Sequence, residues 1–390
     1  MQTEREIITL FKPFLAIEMI MQRIRETLES GVITQGPVNT QYEADLVKYF
    51  GYPSVVTVNS GTSGLTLALK LLNDDNSVVL CSPMTCFATT SAILARGMRL
   101  RWVDSDKNTC NMNLEDLKHK INSETRIILL VHWGGTCLDM DELHRIIFEK
   151  EHKYNIRINV IEDCAHAFGA EFGNKKLGTR EYTHYPSTQE TNICVYSTQA
   201  IKHLTTFDGG IMLVPEHLYD RSVLLRWYGI DRTKKILGDF RLENDIIESG
   251  FKYHMNDINS CAGLSNLPFM EGNIERNRYI AKQYDMTLQN LPGIQLLTKP
   301  DKCNSAYWLY TFLVNDKNMF IKFMLDKKII CSQVHKRNDK HTCVYKFREE
   351  LPGATELSDK VVCVPIGWWI TDDDMLYIIE SIKEWSAKQK

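Results

Sequence analysis

Apolar residues at Phe14, Ile17, Met21, Ile24 and Leu28 fall three or four positions apart, the spacing of one face of a helix, and Gly31 follows where a left-handed residue ends a helix. A loop through Gly36 and Pro37 separates this stretch from a second amphipathic one at 41–50. Both are expected to be helices that cover a core. From Val55 the texture changes. Short apolar runs at 55–58, 78–81, 100–103, 127–131 and 158–161 alternate with helix-length periodic segments. That alternation predicts an α/β fold with a mostly parallel sheet flanked by helices, in which ligands bind beyond the carboxyl ends of the strands. Functional residues are therefore expected just after strands. Beyond about Asn266 a long helical segment leads to a strand at 307–314, a helix at 320–325 and a last helix at 372–385 with Thr371 as its N-cap. The pattern divides the chain into a large domain with N-terminal helices, 1–265, and a smaller C-terminal α/β domain, 266–390.

Composition narrows the class without naming a chemistry. At 390 residues the chain has room for two or three compact units. A net charge of -3 with no basic stripe argues against a nucleic-acid partner. The first residues lack a basic region followed by an apolar core, and no apolar run approaches about 18 residues, so no membrane association and a cytoplasmic location are expected. Eleven cysteines, odd in number and without a C-x-x-C pair, are expected as reduced, mostly buried thiols; no metal site is expected.

The stretch with most to explain is Val195 to Gly210, VYSTQAIKHLTTFDGG, which sets Lys202 in a turn between two apolar runs. A poorly solvated lysine loses basicity and becomes a nucleophile toward a carbonyl; the plainer alternative is a solvated hairpin lysine. Three further groups follow strands. Asn59-Ser60-Gly61-Thr62-Ser63-Gly64 joins a strand to a helix, and small residues there leave backbone N–H groups free for an anion such as phosphate. Neither a P-loop nor a dinucleotide fingerprint fits the spacing. Asp163, in IEDCAHA, is a carboxylate at a strand end, either a partner for a protonated ring nitrogen or a helix cap. Phe87 is placed to stack on a flat ring, or else belongs to the core. A phosphate cradle, an aromatic, a carboxylate and a lysine, each after a successive strand, are together the parts that hold pyridoxal 5'-phosphate.

With these residues in view the chain resembles the sugar-nucleotide aminotransferases of the DegT-like family, which have the aspartate-aminotransferase fold (fold type I). The resemblance runs from Gly31 through Gly367-Trp368-Trp369 and includes the blocks IEDCAHAFGAEF, QAIKHLTTFDGG and GFKYHMNDI. It implies that Lys202 bonds to the cofactor aldehyde, Asp163 pairs with the ring nitrogen, and Phe87 stacks on the ring. It implies too that Gly61, Thr62 and Ser63 with Ser197 hold the phosphate, and that His166 lies beside the ring near its hydroxyl. Such enzymes are homodimers with active sites at the subunit interface, so Lys252 is a candidate to reach the partner's cofactor phosphate, the alternative being a solvated loop charge. His335 and Arg337 are implied as substrate contacts near the site mouth. Three departures from the family pattern stand out: Thr198 where an aromatic is common, Phe207 in place of the usual glycine before Asp208, and extra residues from Arg180 to Asn192.

The activity implied is transfer of the amino group of glutamate, with pyridoxamine 5'-phosphate as the intermediate cofactor form, to a nucleotide-linked 4-keto-6-deoxy sugar on UDP or dTDP, giving a 4-amino-4,6-dideoxy sugar. The alternatives are a 3-keto or GDP-linked sugar on the same machinery, a dehydratase that uses pyridoxamine phosphate, and a non-catalytic regulatory or ligand-binding relative. The dehydratases carry a histidine in place of the lysine, so Lys202 argues against that branch. Lys202 and Asp163 together argue against a silent relative.

Overall fold

The computed structural model describes residues 5–72, 77–179, 192–232 and 245–389. Its larger sheet contains β1 (Val55–Val58), β2 (Val78–Cys81), β3 (Arg99–Trp102), β4 (Thr125–Val131) and β5 (Asn159–Asp163). After β6 (Glu171–Phe172) and β7 (Lys175–Lys176), a hairpin outside that sheet, β8 (Asn192–Ser197) and β9 (Gly210–Leu213) complete it. The strand order is β1-β9-β8-β5-β4-β2-β3. The pairs β2–β3, β2–β4, β4–β5 and β5–β8 are parallel, while β9 runs antiparallel to both β1 and β8. All strands but β9 thus share one direction, and their carboxyl ends line one edge. Expected strand positions hold to within one or two residues.

Burial accounts for the unbroken apolar runs. Along β4, Ile127 and Leu129 enter one core while Ile128 and Leu130 enter the other, all fully buried. A strand covered on both faces has no polar side with which to alternate. Each such side chain contributes about 1.5–3 kcal/mol by leaving water.

Two helices precede the sheet, α1 (Ile17–Ser30) and α2 (Pro37–Phe50), and α3 (Gly61–Leu72) and α4 (Phe87–Ala95) follow β1 and β2. Pro37 opens α2 four residues earlier than expected, in the first-turn position where its missing N–H costs nothing. α1 stops as expected, with Gly31 at φ 71°. Its expected core-covering stripe is corrected, however: Ile17, Met21 and Leu28 are 61, 59 and 57% exposed, whereas Ile20 and Thr27 are buried. Thr27 Oγ1 meets Cys261 Sγ at 3.2 Å, so α1 rests on helix Asp257–Asn266 through a narrow, partly polar contact and turns its broad apolar face outward.

The second sheet, β10 (Ile294–Leu296) with β12 (Tyr310–Val314) and β13 (Val361–Val364), is antiparallel and has its own core, including Phe312, Phe320, Ile378 and Trp385. β11 (Cys303–Asn304) joins the β6–β7 hairpin instead. The strand expected from Tyr307 begins at Tyr310, because residues 305–309 are tied to the large unit: Ala306 N–H donates to Gly135 O and Leu309 N–H to Gly134 O. Thr371 caps the last helix, its Oγ1 accepting from Asp374 N–H at 3.0 Å while Asp374 returns the contact. Ile8 crosses to the second core and bridges Ile329. The eleven cysteines are free thiols, nearly all removed from solvent. Among the described residues no helix is long and apolar enough to cross a membrane.

Candidate active site

The carboxyl edge of the large sheet collects the chemistry-bearing residues. Ser197 ends β8 and pairs with Gly210, and the twelve residues 198–209 between them carry Lys202. The neck of this loop is braced by Thr206 N–H to Thr198 O at 2.9 Å and by the two hydroxyls, Thr198 Oγ1 and Thr206 Oγ1, at 2.6 Å. Thr198 therefore works inside the loop, as a buried hydrogen-bonding group at the place where the family pattern has an aromatic. Phe207, at φ 65°, occupies a left-handed conformation suited to the glycine it replaces. Its N–H is held by Thr205 Oγ1 at 3.0 Å.

Lys202 and Asp163 perturb each other in complementary ways. Burial pulls the Lys202 amine down to about 8, against the opposing pull of Asp163 and Cys86. Burial pushes the Asp163 carboxyl above its ordinary value, although Thr89, the Ala165 N–H, Lys202 and His132 all favour its charged form. Thr89 Oγ1 donates to Asp163 Oδ2 at 2.7 Å and the Ala165 N–H to Oδ1 at 3.1 Å. Asp163 is 4% exposed at the end of β5. Even with these donors, a carboxylate whose burial still dominates is one that a further cation would suit. Beneath it His132 Nε2 lies 2.9 Å from Glu162 Oε2, while His132 Nδ1 accepts from Leu138 N–H at 3.1 Å. This fully buried pair ties β4 to β5 directly behind Asp163. Cys164 Sγ stands near enough for the three to resemble a ligand set, but His132 and Glu162 already use these atoms on each other and on Leu138.

The phosphate cradle is a matter of close approach. A Cβ on Gly61 would lie 3.0 Å from Ser197 Cβ, so the absence of a side chain lets the start of α3 touch the end of β8. The Ser63 N–H is satisfied by Ser60 Oγ at 3.1 Å, and Ser60 and Ser63 hydroxyls meet at 2.8 Å. The Gly61 and Thr62 N–H groups find no acceptor among the described residues. Two free N–H groups at the positive end of a twelve-residue helix suit an anion.

From the smaller unit, a loop delivers His335. Its Nε2 lies 3.3 Å from His166 Nε2, and the two rings are nearly parallel. Because Gly134 N–H donates to His166 Nδ1 at 3.4 Å, a neutral His166 carries its hydrogen on Nε2 and donates to His335. Burial, with Lys202 adding to it, drives His166 well below its ordinary value and His335 down to about 4. Both rings are neutral near pH 7. The loop is anchored by Asn338, whose N–H donates to Pro83 O at 2.8 Å and whose amide reaches Cys86 O and Thr90 Oγ1. That anchor sits at the start of α4, where Phe87 projects, 36% exposed rather than packed in the core, with His341 edge-on at 5.1 Å.

Two further expected site residues are engaged with groups of the chain itself. Arg337, expected as a substrate contact, makes a paired contact with Asp339 at 2.7 and 2.8 Å and donates to Thr355 Oγ1, and it is 6% exposed, so in this structure its guanidinium braces the loop. Lys252 is exposed, its Nζ 3.8 Å from the centre of the Trp227 ring; the Asn59 amide, just before the cradle, donates to its carbonyl at 3.2 Å. Arg232 lies over the same ring and His254 stacks on it. Residues 180–191 of the expected insertion lie outside the described residues. Sequence reasoning missed Thr89, Asn338 and Trp308. Thr89 lies in the first turn of α4, and its hydroxyl meets that of Thr85, in the bend before the helix, at 2.9 Å.

The residues present fit pyridoxal phosphate: an anion cradle with two free N–H groups, narrowed by Gly61, a buried carboxylate suited to a further cation, and an amine of lowered basicity. Comparison with known proteins agrees. The profile of the DegT/DnrJ/EryC1/StrS aminotransferase family matches residues 16–383. The crystal structure of the sugar aminotransferase CalS13 from Micromonospora echinospora superposes with a TM-score of 0.90 at 39% identity, covering 97% of this chain and 100% of that one. An uncharacterized protein of Methanocaldococcus jannaschii, MJ1066, is 32% identical over 389 residues, 96% of each chain. The UDP-4-amino-4,6-dideoxy-N-acetyl-beta-L-altrosamine transaminase of Campylobacter jejuni is 28% identical over 344 residues, 86% of this chain and 85% of its own. The chain belongs to the DegT/DnrJ/EryC1/StrS aminotransferase family and is a pyridoxal-phosphate-dependent sugar aminotransferase.

Proposed function

We propose that this chain moves the amino group of glutamate to a nucleotide-linked 4-keto-6-deoxy sugar on UDP or dTDP, giving a 4-amino-4,6-dideoxy sugar. The observation that carries the chemistry is the pairing of a buried amine of lowered basicity, Lys202, with the buried carboxylate of Asp163 at one sheet edge. When bound, pyridoxal phosphate supplies an aldehyde that takes up an amino group and a ring that draws electrons from the bond being broken. The Gly61 and Thr62 N–H groups, with the Ser63 and Ser197 hydroxyls, hold the phosphate. Asp163 keeps a proton on the ring nitrogen. Lys202 Nζ would hold the cofactor and, when free, would take a proton from the glutamate α-carbon and return one to the sugar carbon, a role suited to an amine near 8. His335 and His166, both neutral, offer hydrogen bonds without adding charge.

The choice of substrate rests on the Campylobacter jejuni relative, whose name specifies a UDP-linked 4-amino-4,6-dideoxy sugar. Turnover should be measured with glutamate against UDP-, dTDP- and GDP-linked 4-keto-6-deoxy sugars and a 3-keto counterpart, following 2-oxoglutarate and the amino sugar. The UDP or dTDP 4-keto substrates are expected to exceed the others by at least about tenfold in kcat/KM, a difference of about 1.4 kcal/mol. Turnover confined to the 3-keto or GDP-linked sugars overturns the assignment.

The same proposal makes the enzyme a homodimer in which Lys252 reaches the partner's phosphate, with 1–265 and 266–390 as its domains. The outward apolar face of α1, continued by Val32 and Ile33 at 45 and 46% exposure, supports a covered surface. Lys252, Arg232 and Arg226 act on His254, which burial and these cations bring down to about 4; Arg226 is paired with Glu43, which leaves Lys252 and Arg232 as the cations that favour an anion there. At limiting cofactor, mixing Lys252→Ala with Lys202→Met chains is expected to restore about a quarter of wild-type activity. Half of the dimers are then mixed, and one of the two sites in each combines an intact Lys202 with an intact partner lysine. Activity no greater than the sum of the separate variants, with exchange verified, places Lys252 in its own chain's site.

A further inference from the structure

Trp308 presents its ring face to the Lys202 amine. Lys202 Nζ lies 3.6 Å from the centre of its indole ring, well inside the roughly 6 Å over which a cation feels an aromatic face. The tryptophan itself has little freedom. It is 5% exposed, its Nε1–H donates to Ile201 O at 2.8 Å, one residue from the lysine, and His166 and Phe11 stack on it at 4.0 and 5.0 Å. Its backbone is clamped as well. A Cβ on Gly135 (φ 93°) would lie 2.8 Å from Tyr307 N and 3.2 Å from Trp308 N, so only glycine lets this segment approach, and His203 Nε2–H donates to Ala306 O at 3.0 Å. Residues from four distant parts of the chain thus fix one indole against one amine and hydrogen-bond it to the loop that carries that amine.

We propose that Trp308 is a positioning residue for the reaction: its indole face is the seat of the free Lys202 ammonium, holding the amine in place and favouring its protonated form whenever it is not bonded to the cofactor. This rests on Lys202 being the cofactor lysine. The interior around Lys202 otherwise disfavours charge, since burial outweighs the pull of Asp163 and Cys86. A ring quadrupole offsets part of that burial without supplying an anion that would compete with Asp163 for the cofactor's ring nitrogen or repel its phosphate. Trp308 then sets how much of Lys202 is protonated near neutral pH, and so how readily Nζ alternates between accepting and giving the proton in each half-reaction.

The test reads the amine directly in the full-length, cofactor-free chain, by competitive acetylation of Lys202 with acetic anhydride across pH and quantification of its peptide by mass spectrometry. The seven tryptophans are replaced biosynthetically by mono-, di- and trifluorinated tryptophan. Fluorine leaves the shape and the Nε1–H nearly unchanged while draining the ring's negative face. The apparent pKa of Lys202 is expected to fall stepwise with each fluorine, reaching about half to one and a half units in all, the range that a partly buried cation–π contact commands. Trp308→Phe, which keeps an aromatic face, should lie closer to wild type than Trp308→Leu, which opens a similar space without one. A flat fluorination series, or Phe and Leu variants that titrate alike, overturns the proposal. Because no cofactor is present, the outcome stands apart from the cofactor assignment, which a borohydride label on a different lysine would refute separately.

Discussion

Lys202→Met is expected to lower turnover by at least about 10⁴-fold and, in the cofactor-free chain, to make the fold more stable at pH 7. The activity loss follows from two duties failing together: a thioether can neither bond to an aldehyde nor carry a proton, and proton transfer alone is worth about 10²–10⁴. The stability gain follows from linkage. Folded Lys202 titrates near 8 where an unfolded lysine titrates near 10.5. Between those values the unfolded chain binds more protons, so stability rises with pH across that window, and below 8 the full penalty of the buried ammonium persists. Methionine keeps most of the volume and removes the charge. The gain at pH 7 is about 2 kcal/mol, after allowing for the partial solvent contact of the residue and for the lost attraction to Trp308. It should shrink as pH rises through that window, to a small fraction of its pH 7 value by pH 10.5. Thermal midpoints of cofactor-free wild type and variant from pH 6 to 10.5 check the sign, and borohydride reduction followed by peptide mapping checks the assignment. A covalent label on a peptide without residue 202, or a variant turning over within tenfold of wild type, refutes the role.

The sheet was legible because its strands are buried on both faces. Ile127 to Val131 reads as a continuous apolar run only where no side chain needs water, and the same rule located Asp163, the Ser60–Ser63 turn, Phe87 and Lys202, each just past such a run. The N-terminal helix shows where periodicity stops being informative. A stripe at Ile17, Met21 and Leu28 marks a face that some surface covers, and the pattern is identical whether that surface is the chain's own core or another molecule. Trp308 and Asn338 escaped for a different reason. Their partners, Lys202 with His166 and Pro83 with Thr90, lie about 100 to 255 positions away along the chain, and no local spacing encodes a contact made only when the second unit docks on the first. Arg337 is the opposite case. Its partner Asp339 stands only two residues on, a pairing between sequence neighbours that the spacing alone could have suggested.

Asp163→Asn should cost catalysis far more than it costs the fold. The side chain keeps its size, and its surroundings tolerate the change of donor: Thr89 now donates to Oδ2, but its hydroxyl can rotate to accept from an amide nitrogen and donate to Thr85 Oγ1, 2.9 Å away, while the Ala165 N–H still finds Oδ1. The charge is also one that the folded chain holds reluctantly. With burial raising its pKa, the carboxyl binds more protons folded than unfolded between its ordinary value and the raised one, so ionisation lowers stability as pH rises through that window and the penalty persists at neutral pH. An amide removes it, and the cofactor-free variant should melt no lower than wild type at pH 7. Catalysis depends on the same charge. A carboxylate 4% exposed, with its position fixed by two donors, can hold a proton on a ring nitrogen throughout the reaction, which a neutral amide cannot do. The expected loss is about a hundredfold or more in kcat, about 3 kcal/mol in the barrier, with a smaller change in KM because the lost charge acts on the electron-accepting ring during the chemical step. Steady-state kinetics beside a melting curve separate the two effects. An Asp163→Asn enzyme with wild-type kcat, or one whose lost activity tracks a lowered melting point, would show that Asp163 serves the fold and not the reaction.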